Sequence, residues 1–238
     1  LEIDSDEKIM AGISVREFGE DKYLAMITKQ AIIKKTDMSS FANIRKSGLI
    51  ALNLREDDDL ISVMTVEKDD QIFVATRKGM GIKFNEQDAR PMGRTATGVK
   101  AITLNDGDYV VSALKVDPNG QILNVTEKGF GKQTTVEQFN LQYRGGKGLK
   151  IHQLTEKTGE LTGVLMIGEK DELMLITSEG VIIRLRAKDI SSYGRVSQGV
   201  KLMNLDEGVS VVGIAKISEE DIEEETVETV DETTDTEA

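Results

Sequence analysis

Four glycine-rich loops along the chain carry arginine or lysine, and this combination suits the binding of phosphate groups. Glycine lets the backbone approach a ligand and turn its N–H groups outward. Arg and Lys make charge-assisted hydrogen bonds to phosphate. The candidate residues are Arg45 and Lys46 in the first loop, Arg90, Arg94 and Lys100 in the second, Arg144, Gly145, Gly146, Lys147, Gly148 and Lys150 in the third, and Arg195 and Lys201 in the fourth.

A second group of basic residues lies in short segments that precede these loops. Each segment mixes apolar residues with Lys or Arg and has the length of a strand. We predict that these side chains extend the same phosphate-binding surface. They are Lys34, Lys35, Lys83, Lys132, Arg184 and Arg186.

Few residues of the chain could support catalysis or metal binding. There is no Cys, and His152 is the only histidine, so thiolate sites are excluded and a Ser-His-Asp triad would depend on that one ring. Acidic runs such as Asp57–Asp59 fall in predicted turns, where solvation explains them more simply than Mg²⁺ does. No Gly-Lys-Ser/Thr sequence opens a helix as in a P-loop. We therefore predict no catalytic residue, no metal and no cofactor.

The loops belong to an internal repeat of about fifty residues. The glycine that ends each loop recurs at Gly48, Gly98, Gly148 and Gly199, with spacings of 50, 50 and 51. A threonine that closes an apolar run recurs independently at Thr28, Thr76, Thr126 and Thr177, with spacings of 48, 50 and 51. Two anchors with one period indicate a repeat architecture.

Each repeat is predicted to contain four strands, because Val, Ile and Leu fill the runs and Gly, Asp and Asn fill the breaks. In the first complete repeat these are Tyr23 to Thr28, a basic strand near Lys34, Leu49 to Leu54, and Leu60 to Val66. Four-stranded repeats in line favour an all-β, propeller-like disc of blades. An open β-solenoid is the alternative. The predicted blades of this one domain are 18–68, 69–118, 119–169 and 170–218, and residues 1–17 are the last strand of an incomplete blade.

The net charge of −12 is concentrated at one end of the chain. Residues 219–238 hold 11 acids and no Lys or Arg; removing those 11 from the 42 acids of the whole chain leaves 31 against 30 Lys and Arg. We predict that this tail is disordered. The sequence contains no run of eighteen apolar residues and no signal peptide, which predicts a cytoplasmic protein without a membrane partner. Because Leu1 falls inside a repeat, we expect the chain to be part of a longer protein.

Basic loops at one recurring position would place phosphate sites in a row along the edge of a disc. Such a row fits a bent duplex, whose phosphates are periodic, and it predicts binding of double-stranded DNA through its backbone without sequence readout. Two alternatives remain open. The loops could merely turn the chain, with lysines that keep the edges soluble, or the repeats could bind protein partners.

At these loops the sequence resembles the C-terminal domain of the DNA gyrase A subunit. The runs that carry the resemblance are RPMGRTATGV (Arg90 to Val99), YRGGKGLK (Tyr143 to Lys150) and GVIIRL (Gly180 to Leu185), and it extends over residues 1–218. It implies a β-pinwheel that wraps DNA around a basic perimeter and so supports negative supercoiling by a bacterial type IIA topoisomerase, an isomerase. The corresponding domain of topoisomerase IV is the nearest alternative.

The resemblance also implies partners and a division of labour. The partners would be double-stranded DNA, the remainder of the A subunit of gyrase and, through it, the B subunit of the enzyme, in the bacterial cytoplasm and associated with the nucleoid. ATP binding and the catalytic tyrosine would lie outside this domain, so that none of Tyr23, Tyr109, Tyr143 and Tyr193 is a nucleophile. The family's box, Gln-Arg-Arg-Gly-Gly-Lys-Gly, is represented by a degenerate copy at Gln142 to Gly148, and the principal box would lie in repeats that precede this chain.

Overall fold

The computed structural model describes residues 9–15, 18–19, 21–44 and 48–219, which form short antiparallel strands joined by turns. Arg45, Lys46 and the acidic tail beyond Glu219 lie outside the described residues. The strands are β1 (Tyr23–Thr28), β2 (Ile32–Asp37), β3 (Leu60–Val66), β4 (Gln71–Thr76), β5 (Met80–Asn85), β6 (Val99–Lys100), β7 (Val110–Lys115), β8 (Gln121–Thr126), β9 (Phe130–Thr135), β10 (Leu149–Lys150), β11 (Leu161–Ile167), β12 (Glu172–Thr177), β13 (Ile182–Arg186), β14 (Val200–Lys201) and β15 (Val211–Ile217). Short 3-10 helices are formed by Met38–Phe41, Glu86–Asp88, Val136–Gln138 and Ala187–Asp189.

The chain divides into two compact units. The first comprises the described residues up to Val116 together with residues 137–153, and it contains the sheets β3-β1-β2-β6 and β7-β4-β5-β10. The second comprises residues 117–136 and 154–219, and it contains the sheets β11-β8-β9-β14 and β15-β12-β13. No helix in the described ranges is long and apolar enough to span a membrane.

Each unit has its own apolar core. In the first unit Ile27, Ile33, Val74 and Phe84 are fully buried, and in the second Leu123, Val125, Leu173 and Leu175 are. The strands β1, β4 and β8 are buried along almost their whole length. A strand that is covered on both faces reads as a continuous apolar run, which is why these three were visible in the sequence.

The recurring threonine closes the hairpin that follows the first strand of every repeat. Its hydroxyl accepts a hydrogen bond from the backbone N–H four residues later, at 3.2 Å for Thr28, Thr76 and Thr126 and at 3.1 Å for Thr177. The residue at the third position of this turn has positive φ: it is glycine in three repeats and Ala31, at φ +62°, in the first. The first repeat therefore forms the same turn as the others, although alanine replaces glycine there.

The third strand of each repeat is shorter than predicted, and it belongs to another sheet. Only two residues form a strand in β6, β10 and β14, and residues 49–54 of the first repeat form none. Moreover, β6 pairs with β2 of the repeat before it, β10 with β5, and β14 with β9. A sheet is therefore completed by the repeat that follows it in sequence, whereas β13 receives no such strand from the described residues.

Candidate nucleic-acid interface

Three basic loops, residues 90–98, 141–148 and 192–199, lie along the edges of sheets formed by β2, β5 and β9; we call them the anchored loops. Each begins with a backbone N–H that donates to the edge strand, from Met92 to Lys35 (2.7 Å) in the first loop. The corresponding donors of the other two loops are Gln142, to Lys83 at 2.8 Å, and Tyr193, to Gln133 at 2.9 Å. Each loop then returns to the same edge through β6, β10 or β14.

The glycine that ends each anchored loop is required by its close approach to that edge. Gly98, Gly148 and Gly199 have φ of +95°, +72° and +68°. A Cβ atom would lie 2.7 Å from the carbonyl oxygen of the neighbouring strand at Gly98, and 2.3 Å from it at Gly148 and Gly199. No side chain fits at such distances, so at these three positions the fifty-residue glycine period records where the loops are fixed to their sheets.

A lysine two residues after each of these glycines occupies the same backbone position in every anchored loop. Lys100, Lys150 and Lys201 are the second residues of β6, β10 and β14, and all three side chains are exposed. The first repeat has Ile50 there, which is 66 % exposed. Each anchored loop thus has a solvent-facing ammonium group at the same position relative to its own sheet edge.

The arginine of each loop is less accessible than this lysine. Arg94, Arg144 and Arg195 are half-buried. Arg144 donates from Nε to the carbonyl oxygen of Asp88 (2.6 Å) and from Nη1 to that of Lys100 (3.0 Å), and its guanidinium lies 5.7 Å from the ring centroid of Tyr143. This arginine therefore ties its own loop to the preceding repeat and also presents a cation at the surface.

The two glycines after Arg144 add further hydrogen bonds between this loop and the preceding repeat. The N–H of Gly145 donates to the carbonyl oxygen of Ala101 (2.6 Å), and Thr103 donates from Oγ1 to the carbonyl of Gly145 (2.7 Å) and from its N–H to that of Gly146 (2.8 Å). These backbone groups of residues 145–146 thus form hydrogen bonds within the protein. Within the described loops, Arg90 and Lys147 are exposed cations in addition to Lys100, Lys150 and Lys201.

Four lysines that we predicted to contact phosphate are instead buried inside the sheets. Lys34, Lys35, Lys83 and Lys132 are at most 8 % exposed, because both faces of β2, β5 and β9 are covered. Their side chains cannot reach a ligand at the surface, and the prediction of a phosphate contact is wrong for them. Arg184 and Arg186 in β13 are exposed, and they form ion pairs with Glu172 and with Asp189 (2.8 Å).

Two of the buried lysines hold the anchored loops from beneath. The Lys34 ammonium donates to the carbonyl oxygens of Ala51 (2.7 Å) and Arg94. The Lys132 ammonium donates to those of Gly194 (2.8 Å) and Arg195 (2.5 Å). Both lysines occupy the same register position of their strands, where β5 and β13 have isoleucines. We call Lys34 and Lys132 the clamp lysines.

The other two buried lysines occupy the next register position and face the opposite side of the strand. Lys35 forms a buried ion pair with Glu86, donates to its carbonyl oxygen (3.1 Å) and lies 4.7 Å from the ring centroid of Tyr23. Lys83 is at the equivalent position, with the carboxylate of Glu137 as its attractive charge. These lysines connect a strand to the 3-10 turn of the following repeat.

Burial changes the titration of three of these lysines. Desolvation, and then repulsion from Arg195, lowers the pKa of Lys132 from 10.5 to about 8. Desolvation, and then Arg94, lowers the pKa of Lys34. Desolvation also lowers the pKa of Lys83, against the opposing effect of Glu137. Arg94 and Arg195 thus lie close enough to Lys34 and Lys132, respectively, for the two cations of each pair to repel.

Asp58, which we assigned to a solvated turn, has a defined structural partner, and so does Asp108 fifty residues later. Asp108 accepts from the Thr76 hydroxyl (2.7 Å) and from the N–H of Lys78 (2.9 Å), and Asp58 accepts from the N–H of Gln30 (2.8 Å). Their fifty-residue spacing was a signal of this role. Among the described residues no group of three His, Cys, Asp or Glu side chains could hold a metal.

Comparison with known proteins identifies the repeat. A family model described as "DNA gyrase C-terminal domain, beta-propeller" matches residues 22–67, 70–117, 121–167 and 171–218. The A subunit of DNA gyrase from Clostridium acetobutylicum is 55 % identical over 224 residues, which are 94 % of this chain and 27 % of that protein. The chain therefore spans about a quarter of the length of this curated relative.

Two solved structures agree with this family match. The C-terminal domain of a DNA topoisomerase IV superposes with a TM-score of 0.87 at 26 % identity, over 97 % of this chain and 72 % of that one. A DNA gyrase A C-terminal domain superposes with a TM-score of 0.81 at 26 % identity, over 92 % and 73 %. The predicted fold class, an all-β propeller-like repeat of blades, is confirmed, and the chain belongs to the DNA gyrase C-terminal domain family.

Proposed function

We propose that this chain binds double-stranded DNA through its phosphates and bends it along the anchored loops, as the DNA-wrapping part of a gyrase A subunit. The observation that carries the proposal is the recurrence of an exposed lysine at one backbone position, in Lys100, Lys150 and Lys201. Each follows a glycine fixed against the sheet edge. A solubilising lysine needs no such fixed position, whereas a contact to a periodic backbone does.

The fixed loop geometry favours phosphate binding for an energetic reason. Bending a short duplex costs on the order of 1–6 kcal/mol on smooth elastic estimates. An exposed charge contact contributes up to about 1 kcal/mol, so several contacts are needed to offset the bend. Loops held by Lys34, Lys132 and Arg144 lose little conformational entropy on binding. Because these contacts reach phosphates, we expect no sequence preference beyond the deformability of the duplex.

We propose further that this chain contributes binding and no bond-breaking step. Strand cleavage, strand passage and ATP hydrolysis then belong to the rest of the parent topoisomerase. The partners of the chain are the remainder of the A subunit of that enzyme, together with its B subunit. A gyrase of this kind acts on the bacterial chromosome, which places the chain in the cytoplasm with the nucleoid. Negative supercoiling by the parent enzyme is the activity that the wrap would support.

The test compares two triple variants that change the net charge equally. The loop triple removes the loop lysines through Lys100→Gln, Lys150→Gln and Lys201→Gln. The control triple removes three exposed lysines elsewhere through Lys68→Gln, Lys115→Gln and Lys188→Gln. Affinity for a duplex of about 40 base pairs is measured against salt. We expect the loop triple to flatten the slope of log K against log salt by about 3, at about one per phosphate contact, and the control triple to leave it unchanged.

Equal slopes in all three proteins would refute DNA binding by these loops and would favour a protein-interaction role. The structural match to topoisomerase IV supports a second candidate, the corresponding domain of that enzyme. The two differ in the reaction of the parent enzyme. Negative supercoiling of relaxed plasmid by the whole enzyme carrying this domain, with ATP, supports the gyrase assignment; relaxation alone supports topoisomerase IV.

A further inference from the structure

A cavity of about 360 Å³ opens in the second unit beside β9 and β14. Its volume lies within the range of small-ligand pockets. The apolar part of the lining includes Phe130, and the cationic part is formed by Lys128, Lys157 and Lys201. Asp206 and Glu207 also line it, so that ammonium groups outnumber carboxylates by three to two.

Two of the three ammonium groups are placed by the aromatic ring. The Nζ atoms of Lys157 and Lys201 lie 5.4 and 5.9 Å from the ring centroid of Phe130, within the range of a cation–π interaction. The third, that of Lys128, donates to the carbonyl oxygen of Glu156. Within the described ranges no carboxylate lies in ion-pair distance of Lys157 or Lys201. The two cations therefore lie near the ring and form no ion pair among the described residues.

The combination occurs in one repeat. The register position of Phe130 is occupied by Ile32 in the first repeat and by Met80 in the second. Lys157 lies in the turn before the fourth strand; the corresponding turns, residues 55–59, 105–108 and 205–208, are mainly acidic and have Arg55 as their one basic residue. A regular repeat does not require either change, and both face the same cavity.

We propose that this cavity is a phosphate-binding pocket, with Lys157 and Lys201 as the anion ligands and Phe130 as the surface that positions them. Lys201 is also one of the loop lysines, so a duplex phosphate is one source of the anion, and that part rests on the proposed function. A free polyphosphate is the other source. Lys128 and Lys157 extend the basic surface beyond the residues that the sequence indicated.

The experiment uses the 238-residue chain and two probes, sodium tripolyphosphate and a duplex of about 40 base pairs. Backbone amide shifts of Gly129 and Gly208, on either side of the cavity, report on its occupancy by NMR. We expect tripolyphosphate to shift both amides. Lys157→Gln should weaken its binding about threefold, as expected for one partly exposed charge contact, whereas the exposed Lys188→Gln should leave it unchanged.

The titration with duplex distinguishes the two sources of the anion, and it separates this proposal from the proposed function. If the duplex shifts the same amides and Lys157→Gln lowers its salt slope by about 1, the phosphate comes from the DNA backbone. If only tripolyphosphate shifts them, the pocket takes a free anion. Tripolyphosphate binding without duplex binding would refute the proposed function and leave the pocket standing. Unshifted amides with both probes, or equal affinity in Lys157→Gln and wild type, would overturn the pocket even where the duplex still binds the anchored loops.

Discussion

Replacing the clamp lysine Lys132 by isoleucine should loosen one anchored loop without unfolding its sheet. Isoleucine occupies the same register position in β5 and β13, as Ile82 and Ile183, so the strand accepts the side chain. Lys132→Ile removes the two hydrogen bonds that hold the carbonyl groups of Gly194 and Arg195. The loop then keeps its two ends but loses its central contact.

Two opposing terms set the effect on global stability. Hydrogen bonds from a charged donor contribute about 1.5–3 kcal/mol each, so their loss costs about 3–6 kcal/mol. Burial that lowers the pKa of Lys132 from 10.5 to about 8 corresponds to a penalty of about 3 kcal/mol on its charged form, which the variant no longer carries. We therefore expect Lys132→Ile to lower the free energy of unfolding by no more than about 3 kcal/mol at pH 7, while the loop exchanges its amide hydrogens faster.

The assay is hydrogen exchange of residues 192–199, with residues 90–98 as the internal control because their clamp is intact. Duplex affinity should fall about fivefold, which is about 1 kcal/mol for a side chain that must now be immobilised on binding. Faster exchange in both loops, or unchanged exchange in 192–199 together with wild-type affinity, would refute the clamp.

The same variant makes a pH prediction. Since the folded state releases the Lys132 proton at a pKa of about 8 and the unfolded state at about 10.5, the unfolded state binds more protons between these values. The stability of the wild type relative to Lys132→Ile must then rise with pH across this window and be constant below it. Urea unfolding of both proteins from about pH 7 to 10 measures this difference. A flat difference would mean that the lysine is not desolvated.

Two further predictions concern stability and are read from denaturant midpoints. Gly148→Ala should lower the free energy of unfolding by at least about 2 kcal/mol, because a positive φ and a carbonyl oxygen 2.3 Å from the new Cβ act together. The control Gly48→Ala, where φ is also positive but no atom is close, should lower it by about 1 kcal/mol. Equal losses of stability in the two variants would contradict the close approach at Gly148. Lys35→Met should lower the free energy of unfolding by about 3–5 kcal/mol, because it leaves the carboxylate of Glu86 buried and unpaired. The double variant with Glu86→Gln should recover part of this stability. No recovery would show that the two side chains are not energetically coupled.

The strands that pack within their own repeat were predictable, and the exchanged strand was not. The predicted bounds of β1 and β3 agree with the structure, because an apolar run bounded by turn residues reports local burial. The run Val99 to Leu104 has the same appearance, yet only two of its residues form a strand. This strand pairs with the edge strand of a sheet in the preceding repeat. The periodicity of apolar residues in one sequence does not show which strand another strand pairs with.

The basic residues divide in the same way. Glycine spacing located the anchored loops, and Lys100, Lys150 and Lys201 are exposed as predicted, although whether they bind DNA stays a prediction. The basic residues of β2, β5 and β9 were assigned to the surface because they are charged, whereas both faces of these strands are covered. The apolar residues that precede Lys34 were the available signal of that burial.

The exchange of short strands also decides where the gene could be cut. A fragment trimmed to the sequence repeat, ending at residue 68 or 118, would lack the strand that completes its last sheet and would expose that edge to pairing with other chains. A cut after Lys100 or Lys150 keeps that closing strand, but it separates the central strands of the next sheet from their other edge strand. No single cut within the four sheets therefore leaves every sheet whole, and a blade gained or lost in evolution must exchange strands with a new neighbour.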